Sequence, residues 1–143
     1  MMVPIARNVR VKQTFERSFD ALESIFDFVG RFFEQAEVSE EHRFAVNFAI
    51  EEIFTNIIKY QQGNQNDVLI SLELDNDCVR IILVDDDVEA FDPTQSEDVD
   101  INAPLEERKA GGLGLHLTRH LVDSIDYEYA NRQSRVTMTK RLE

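Results

Sequence analysis

The sequence predicts an α+β domain of two layers, in which helices cover one face of a mixed, mostly antiparallel sheet. Apolar residues at helical spacing dominate the first part of the chain, and alternation of apolar and polar residues dominates the later part. Short polar turns separate the alternating segments, which is typical of β-hairpins. The chain has 143 residues and shows neither a linker nor an internal repeat, so we expect a single domain over residues 1–143.

The N-terminal part is predicted to hold a weak edge strand and two helices. The strand covers residues 3–12, and the first helix covers about residues 18–35. Apolar residues recur there every three or four positions: Phe19, Leu22, Ile25, Phe26, Val29, Phe32 and Phe33. Ser39 is a suitable N-cap with acidic residues directly after it, so the second helix is predicted from there to about Tyr60.

Two strands are predicted to follow the helices. Residues 61–67, QQGNQND, have the composition of a turn. Residues 68–75, VLISLELD, alternate as a half-buried strand does, and residues 79–86, VRIILVDD, form a second strand after a short turn. These two strands should pair as an antiparallel hairpin.

The C-terminal part is predicted to hold a long loop, a helix and a closing hairpin. Residues 86–111 show no period, and a loop of this length in a small domain is usually functional or mobile. Residues 112–125, GLGLHLTRHLVDSI, fit a helix that begins with glycines, and residues 125–142 fit two more strands.

Composition and charge restrict the classes of function. The net charge of −13 repels phosphate backbones and anionic membranes, so we expect no direct contact with nucleic acid or membrane. No apolar run is long enough to span a bilayer, and the N-terminal residues lack the apolar segment typical of a secretory signal, so we expect neither a membrane span nor secretion. Cys78, the single cysteine, lies in an apolar strand and fits a core thiol in a reducing cytoplasm.

A carboxylate and an amide interrupt the apolar second helix at Glu52 and Asn56. They are four residues apart and therefore share one face of the helix. If this face lines a site, Asn56 can give an oxygen to a metal ion, and Glu52 can act as a base or orient a water molecule. The alternative is a solvated rim of the helix, with Lys59 close by.

The strand over residues 79–86 ends in the carboxylates of Asp85 and Asp86. A carboxylate at the end of a strand can accept a hydrogen bond from an exocyclic amine or bind a cation. Aspartate-rich turns are also ordinary chain punctuation, so this feature alone leaves both interpretations open.

Three glycines, Gly111, Gly112 and Gly114, stand at the start of the third predicted helix. Glycines let backbone N–H groups approach an anion, and the N-terminus of a helix attracts negative charge. A plain helix-entry turn produces the same pattern, so a glycine-rich loop alone is weak evidence for a phosphate site.

The order of these features resembles the GHKL family of ATP-binding domains. The resemblance rests on the segments EEIFTN, DDDVEAFDPTQ, APLEERKAGGLGLHLTRHLVD and VTMTKRL, and covers about residues 15–142. Within the family the sequence is most similar to the anti-sigma-factor serine/threonine kinases. The resemblance implies the two-layer Bergerat fold, with the long loop acting as a lid over ATP.

The resemblance also implies roles for individual residues. Asn56 would coordinate Mg²⁺ that bridges the ATP phosphates, and Glu52 would be the general base toward a protein hydroxyl. Gly111, Gly112 and Gly114 would contact the phosphates. Two further residues would complete the ATP site: Arg108 from the lid, and Thr137 in the adenine pocket.

The family pattern Asp-x-Gly, in which the aspartate contacts the adenine amine, is not intact in this chain. Strand alternation selects Asp85 as that aspartate and puts Asp87 in place of the glycine. Counting back from Phe91 selects Asp86 instead, with Val88 in place of the glycine. We prefer Asp85, because alternation is fixed by the strand whereas loops accept insertions.

The function implied is that of a cytoplasmic anti-sigma factor that uses Mg-ATP to phosphorylate a serine or threonine of an anti-anti-sigma protein. Its other partner would be a sigma factor, and a homodimer fits the resemblance. The alternative is a non-catalytic module of the same fold that sequesters a partner and binds ATP weakly or not at all. His116 and His120 have the spacing of metal ligands, but the sequence shows no third ligand for them.

Overall fold

The computed structural model describes residues 8–60, 64–95 and 112–142. Its five strands are β1 (Asn8–Phe15), β2 (Val68–Asp75), β3 (Cys78–Asp86), β4 (Ser124–Ala130) and β5 (Gln133–Arg141). They form one open sheet in the order β1-β2-β3-β5-β4. Every neighbouring pair in this sheet is antiparallel. The predicted α+β architecture is therefore confirmed, and the sheet is antiparallel throughout rather than mixed.

Three helices accompany the sheet: α1 (Leu22–Ala36), α2 (Arg43–Tyr60) and α3 (Gly112–Leu121). Short 3-10 turns precede the first two helices. The hydroxyls of Ser18 and Ser39 cap these turns by accepting hydrogen bonds from backbone N–H groups two residues later. Helix α1 ends at Glu37, which has a left-handed backbone (φ 56°).

The core lies between the helices and one face of the sheet. Strand alternation directs Ile70 and Leu72 of β2, and Ile81 and Leu83 of β3, toward α1 and α2, and all four are almost fully buried. The other face of the sheet is polar near β1, where Glu73 forms ion pairs with Arg10 and Arg80. The main core cluster therefore lies on the helical face of the sheet, although Ile82 and Val84 on the other face are also buried.

The predicted bounds of β1 and α3 are among those that differ from the structure. Strand β1 extends to the buried Phe15 rather than stopping at residue 12, and the part of that prediction before residue 8 lies outside the described residues. Helix α3 ends at Leu121, four residues before the predicted end. The Asp123 N–H donates to the carbonyl of Thr139 on β5 (2.7 Å), which draws the chain into β4.

None of the helices in the described ranges combines the length and apolarity that crossing a membrane requires.

Candidate functional site

Helix α2 places Glu52 and Asn56 on the side that faces α3 and the loop after β3. Asn56 is only 5% exposed, and its Nδ2 donates to the Pro93 carbonyl (3.2 Å). Its amide also lowers the pKa of the nearby Glu52 carboxyl group. The polar pair therefore lies in a protected region between elements and not on a freely solvated helix rim.

The Glu52 carboxyl group is held in an unusual environment. Its Oε1 is buried and has no hydrogen-bond partner among the described residues. Burial raises the pKa of Glu52 above its ordinary value, although the positive charge of Lys59 and the hydrogen bond from Asn56 act in the opposite direction. A carboxylate with a raised pKa and a free oxygen is suited to accept a proton.

Gly114 of α3 lies directly against Glu52. A Cβ added at Gly114 would lie 2.6 Å from Oε1 of Glu52 and closer still to Oε2, so only glycine fits without a shift. Thr118 lies one helical turn after Gly114, and its hydroxyl donates to the Gly114 carbonyl (2.8 Å). The position of the Glu52 carboxyl group thus depends on the absence of a side chain at position 114.

The other expected phosphate contacts are only partly within the described structure. Gly112 is the first residue of α3, whereas Gly111 and Arg108 lie outside the described residues. Their predicted roles at the phosphates therefore stay predictions.

At the end of β3, Asp85 and Asp86 point to opposite faces of the sheet. Asp85 shares the helical face with Leu83 and is 1% exposed, and its Oδ1 accepts a hydrogen bond from Nη2 of Arg17. Burial raises the pKa of Asp85, against the hydrogen bond and charge of Arg17. Asp86 is exposed and accepts from Nε2 of Gln133 (2.7 Å). Of the two, Asp85 alone is directed toward the helical layer.

Asp87 has the left-handed backbone that a glycine would supply at this position, with φ 57°. Its exposed side chain pairs with Nε of Arg132 (2.8 Å). Aspartate adopts this conformation more readily than most residues do. The departure from Asp-x-Gly therefore keeps the turn and directs the added side chain toward Arg132 at the surface.

The residue of the closing strand β5 that lies opposite Asp85 is not the expected Thr137. Thr137 is opposite Ile82 in the register of β3 and β5, on the sheet face away from the helices. Ser134 is opposite Asp85 itself and is 4% exposed. Alternation from the buried Val136 would have identified Ser134, because the two residues share a face. The geometry thus corrects the expectation for Thr137 in favour of Ser134.

The first part of the long loop, residues 87–95, is tied to several elements. The Val88 carbonyl accepts from the Tyr129 hydroxyl (2.7 Å), and the Phe91 ring stacks on Tyr60 with centroids 4.8 Å apart. The Thr94 carbonyl accepts from Arg119 of α3. The loop therefore connects the closing hairpin with both α2 and α3 at the level of Asn56.

The side-chain oxygens of Asn56 and Glu52 are ligands for a hard cation rather than for a structural transition metal. No cluster of three or more histidine, cysteine, aspartate or glutamate residues occurs in the described ranges. His116 and His120 stack on α3 with centroids 4.6 Å apart, and neither has a third ligand within those ranges. Amide and carboxylate oxygens such as those of Asn56 and Glu52 are the ligand types that Mg²⁺ prefers.

Comparisons with known proteins find a matching domain family and a related protein kinase. The family described as "Histidine kinase-like ATPase domain" matches residues 15–140. The chain is 26% identical over 98 residues to the "Serine/threonine-protein kinase BtrW" of Bordetella bronchiseptica, covering 68% of this chain and 69% of that protein.

Solved structures share the fold at low sequence identity. The RsbU and RsbW domains of Rv1364c from Mycobacterium tuberculosis superpose with a TM-score of 0.67 at 14% identity. That match covers 94% of this chain but only 32% of the other. The Acinetobacter baumannii histidine kinase AdeS superposes with a TM-score of 0.52 at 16% identity, covering 93% of this chain and 68% of the other.

Proposed function

Because the chain belongs to the histidine kinase-like ATPase domain family, of the GHKL type, we propose that it is an ATP-dependent protein serine/threonine kinase. In this proposal it binds Mg-ATP between α2, α3 and the end of β3. It phosphorylates a serine or threonine of an anti-anti-sigma protein in the cytoplasm, and so controls a sigma factor by partner switching. The observation that carries the proposal is the buried, unpartnered oxygen of Glu52 beside Asn56 and Gly114.

Glu52 is the proposed general base. Its Oε1 is free to accept the proton of a serine or threonine hydroxyl, since no described residue occupies it. The raised pKa increases its affinity for that proton, and the Asn56 amide lies one turn later on the same face of α2. Together these properties prepare Glu52 to deprotonate a nucleophile that lies between α2 and α3.

Asn56 is the proposed ligand of Mg²⁺. Its Nδ2 is held by the Pro93 carbonyl, which fixes the orientation of the amide and leaves Oδ1 to serve as a metal ligand. When bound, Mg²⁺ offsets the negative charge that the phosphates carry during phosphoryl transfer.

Asp85 is the proposed contact for the adenine amine. It is the strand-end carboxylate on the helical face, and the buried Ser134 is opposite it in the register of the sheet. A carboxylate has several acceptor positions, so the hydrogen bond from Arg17 leaves room for one from a base.

Kinase activity and the identity of the partners rest on the relatives. BtrW carries the name of a serine/threonine kinase, and the Rv1364c structure contains RsbU and RsbW domains. Glu52 and Asn56 lie together in the geometry just described, which supports such chemistry in this chain. A homodimer is part of the proposal as an expectation from the resemblance.

A second candidate is a non-catalytic module of the same fold that sequesters a partner. Two observations favour it: Asp87 replaces the glycine of Asp-x-Gly, and Asp85 is already paired with Arg17. In such a module, ATP would bind weakly or not at all, and contact alone would inhibit the partner.

A phosphoryl-transfer assay separates the two candidates. The protein is incubated with γ-labelled ATP, Mg²⁺ and an anti-anti-sigma protein from the same source. Glu52→Gln should retain ATP and lose transfer, whereas the neighbouring exposed Glu51→Gln should retain both. Absence of transfer by the wild type, together with tight binding of the partner, would favour the sequestering module. Transfer by Glu52→Gln at the wild-type rate would contradict the base assignment.

A further inference from the structure

Arg17 is a buried cation at the proposed nucleobase end of the site. It lies in the segment between β1 and the first 3-10 turn, and its side chain is only 6% exposed. Nη2 of Arg17 donates to Asp85, and Nε donates to the backbone carbonyl of Asn66 (3.2 Å). Two separate anchors therefore fix the plane of the guanidinium group.

One edge of this guanidinium group remains unused. Nη1 of Arg17 is buried, and no described residue accepts its hydrogen bonds. A buried N–H group without a partner is costly, and a structure usually avoids it unless a ligand completes the bond. Because Nη1 and Nη2 belong to one rigid group, this free donor lies next to the Asp85 carboxylate.

A carboxylate with an adjacent donor complements one edge of adenine. Adenine presents the N6 amine, which donates, beside the ring nitrogen N1, which accepts. Asp85 can accept from the amine, as in the proposed function. The free N–H of Arg17 can then donate to the neighbouring ring nitrogen, and both contacts form away from water.

We propose that Arg17 is a nucleobase-recognition residue, which donates a hydrogen bond from Nη1 to the N1 atom of adenine while Nη2 holds Asp85 in place for the amine. This inference rests on the proposed function, since it presumes that ATP binds at Asp85. It adds a second protein group to base recognition, contributed by a segment before α1 that none of the sequence motifs includes.

The test compares ATP with 1-deaza-ATP, in which a C–H group replaces N1. Affinities are measured by calorimetry in the presence of Mg²⁺ for the wild type, Arg17→Met and Arg17→Lys. Arg10→Met serves as the control, because Arg10 is exposed on the other face of the sheet. If Arg17→Met does not fold, Arg17→Lys takes its place. Lysine keeps a positive charge beside Asp85 but lacks the second donor that the planar guanidinium group holds in a fixed position.

The wild type and Arg10→Met should bind 1-deaza-ATP about tenfold more weakly than ATP, the effect of one hydrogen bond from a charged donor. Arg17→Met should bind the two nucleotides equally, because the donor is gone. A penalty of equal size in the wild type and in the Arg17 variant would overturn the inference. So would tighter binding of ATP by Arg17→Met, which would mean that Arg17 obstructs the base. Failure of the wild type to bind ATP at all would instead overturn the proposed function, and the inference with it.

Discussion

At the scale of single residues, Glu52 is a functional group that lowers the stability of the folded protein. Its carboxylate lies against Gly114 of α3, and one oxygen is buried without a partner among the described residues. Such a group destabilises the folded state when it is ionised. Sites with this property are usually retained because the chemistry requires them.

We predict that Glu52→Gln stabilises the folded protein at neutral pH. The pKa of Glu52 is raised in the folded state, so the ionised carboxylate costs the folded state free energy at pH values above that pKa. Removal of the charge should increase the free energy of unfolding by about 1 kcal/mol, roughly 4 °C in the melting temperature. As the pH falls through the raised pKa, Glu52 takes up a proton and the advantage of glutamine should disappear.

Thermal unfolding of wild type and Glu52→Gln at a series of pH values checks this prediction. Glu51→Gln is the matched control, since Glu51 is exposed one position away. A stabilisation that is the same at low and neutral pH would contradict the assignment to the buried charge.

Gly114→Ala is predicted to leave the fold largely intact but to impair phosphoryl transfer. Alanine favours a helix over glycine by about 1 kcal/mol, so the melting temperature should change by only a few degrees. The new methyl group would overlap with the Glu52 carboxyl group, which must swing away. Transfer should fall about 100-fold, within the usual range for general-base catalysis. Thermal unfolding of the same samples shows that the variant is folded. If folded Gly114→Ala transfers phosphate at the wild-type rate, the packing of Gly114 on Glu52 is not required for transfer.

At the scale of elements, the loop over residues 87–95 is the connection between hairpin and helices. Tyr129 of β4 holds it from one side, and Asn56 of α2 holds it from the other. Because the same loop contacts both α2 and α3, its position affects the relative placement of Glu52 and Gly114.

We predict that Tyr129→Phe loosens this loop without disturbing the sheet. The change removes the hydrogen bond to the Val88 carbonyl and keeps the ring, at a cost of about 1 kcal/mol. Hydrogen exchange should accelerate at backbone amides of residues 88–95 and stay unchanged in β2 and β3. Equal exchange in both proteins would mean that the other contacts of the loop suffice to hold it.

The same scale shows how much of the fold could be predicted from sequence. Strand β2 was predicted with its observed bounds, and β3 within one residue, because both are rich in β-branched and other apolar residues and a short turn joins them. The predicted end of α3 was wrong, because Val122 and Ile125 continue the helical spacing although the helix stops at Leu121 and β4 begins at Ser124. A local pattern cannot reveal that β5 competes for these backbone groups.

The site was less accessible to sequence reasoning than the fold. Glu52 and Asn56 interrupt an apolar helix and were identified for that reason. Arg17 was missed, because it is 68 positions away from Asp85 in the sequence and no pattern joins them. Ser134 was missed because Thr137 was chosen from the resemblance and not from the strand's alternation.

For the whole molecule, the net charge of −13 opposes the binding of a triphosphate. We predict that removal of Mg²⁺ with EDTA weakens ATP binding, and that the loss is largest at low ionic strength. Salt screens the repulsion between the protein and the uncompensated phosphates, so added sodium chloride should recover part of the loss. Titrations at two salt concentrations, with and without EDTA, check this. An ATP affinity that is insensitive to EDTA would contradict a role for the metal.

The most direct test of the central claim is a calorimetric titration of the wild type and Asn56→Ala with Mg-ATP. The claim is that α2 and α3 enclose an ATP site in which Asn56 holds the metal. We predict a micromolar dissociation constant for the wild type, about −8 kcal/mol, and no measurable binding by the folded variant. Wild-type protein without binding heat, or Asn56→Ala with undiminished affinity, would contradict the claim.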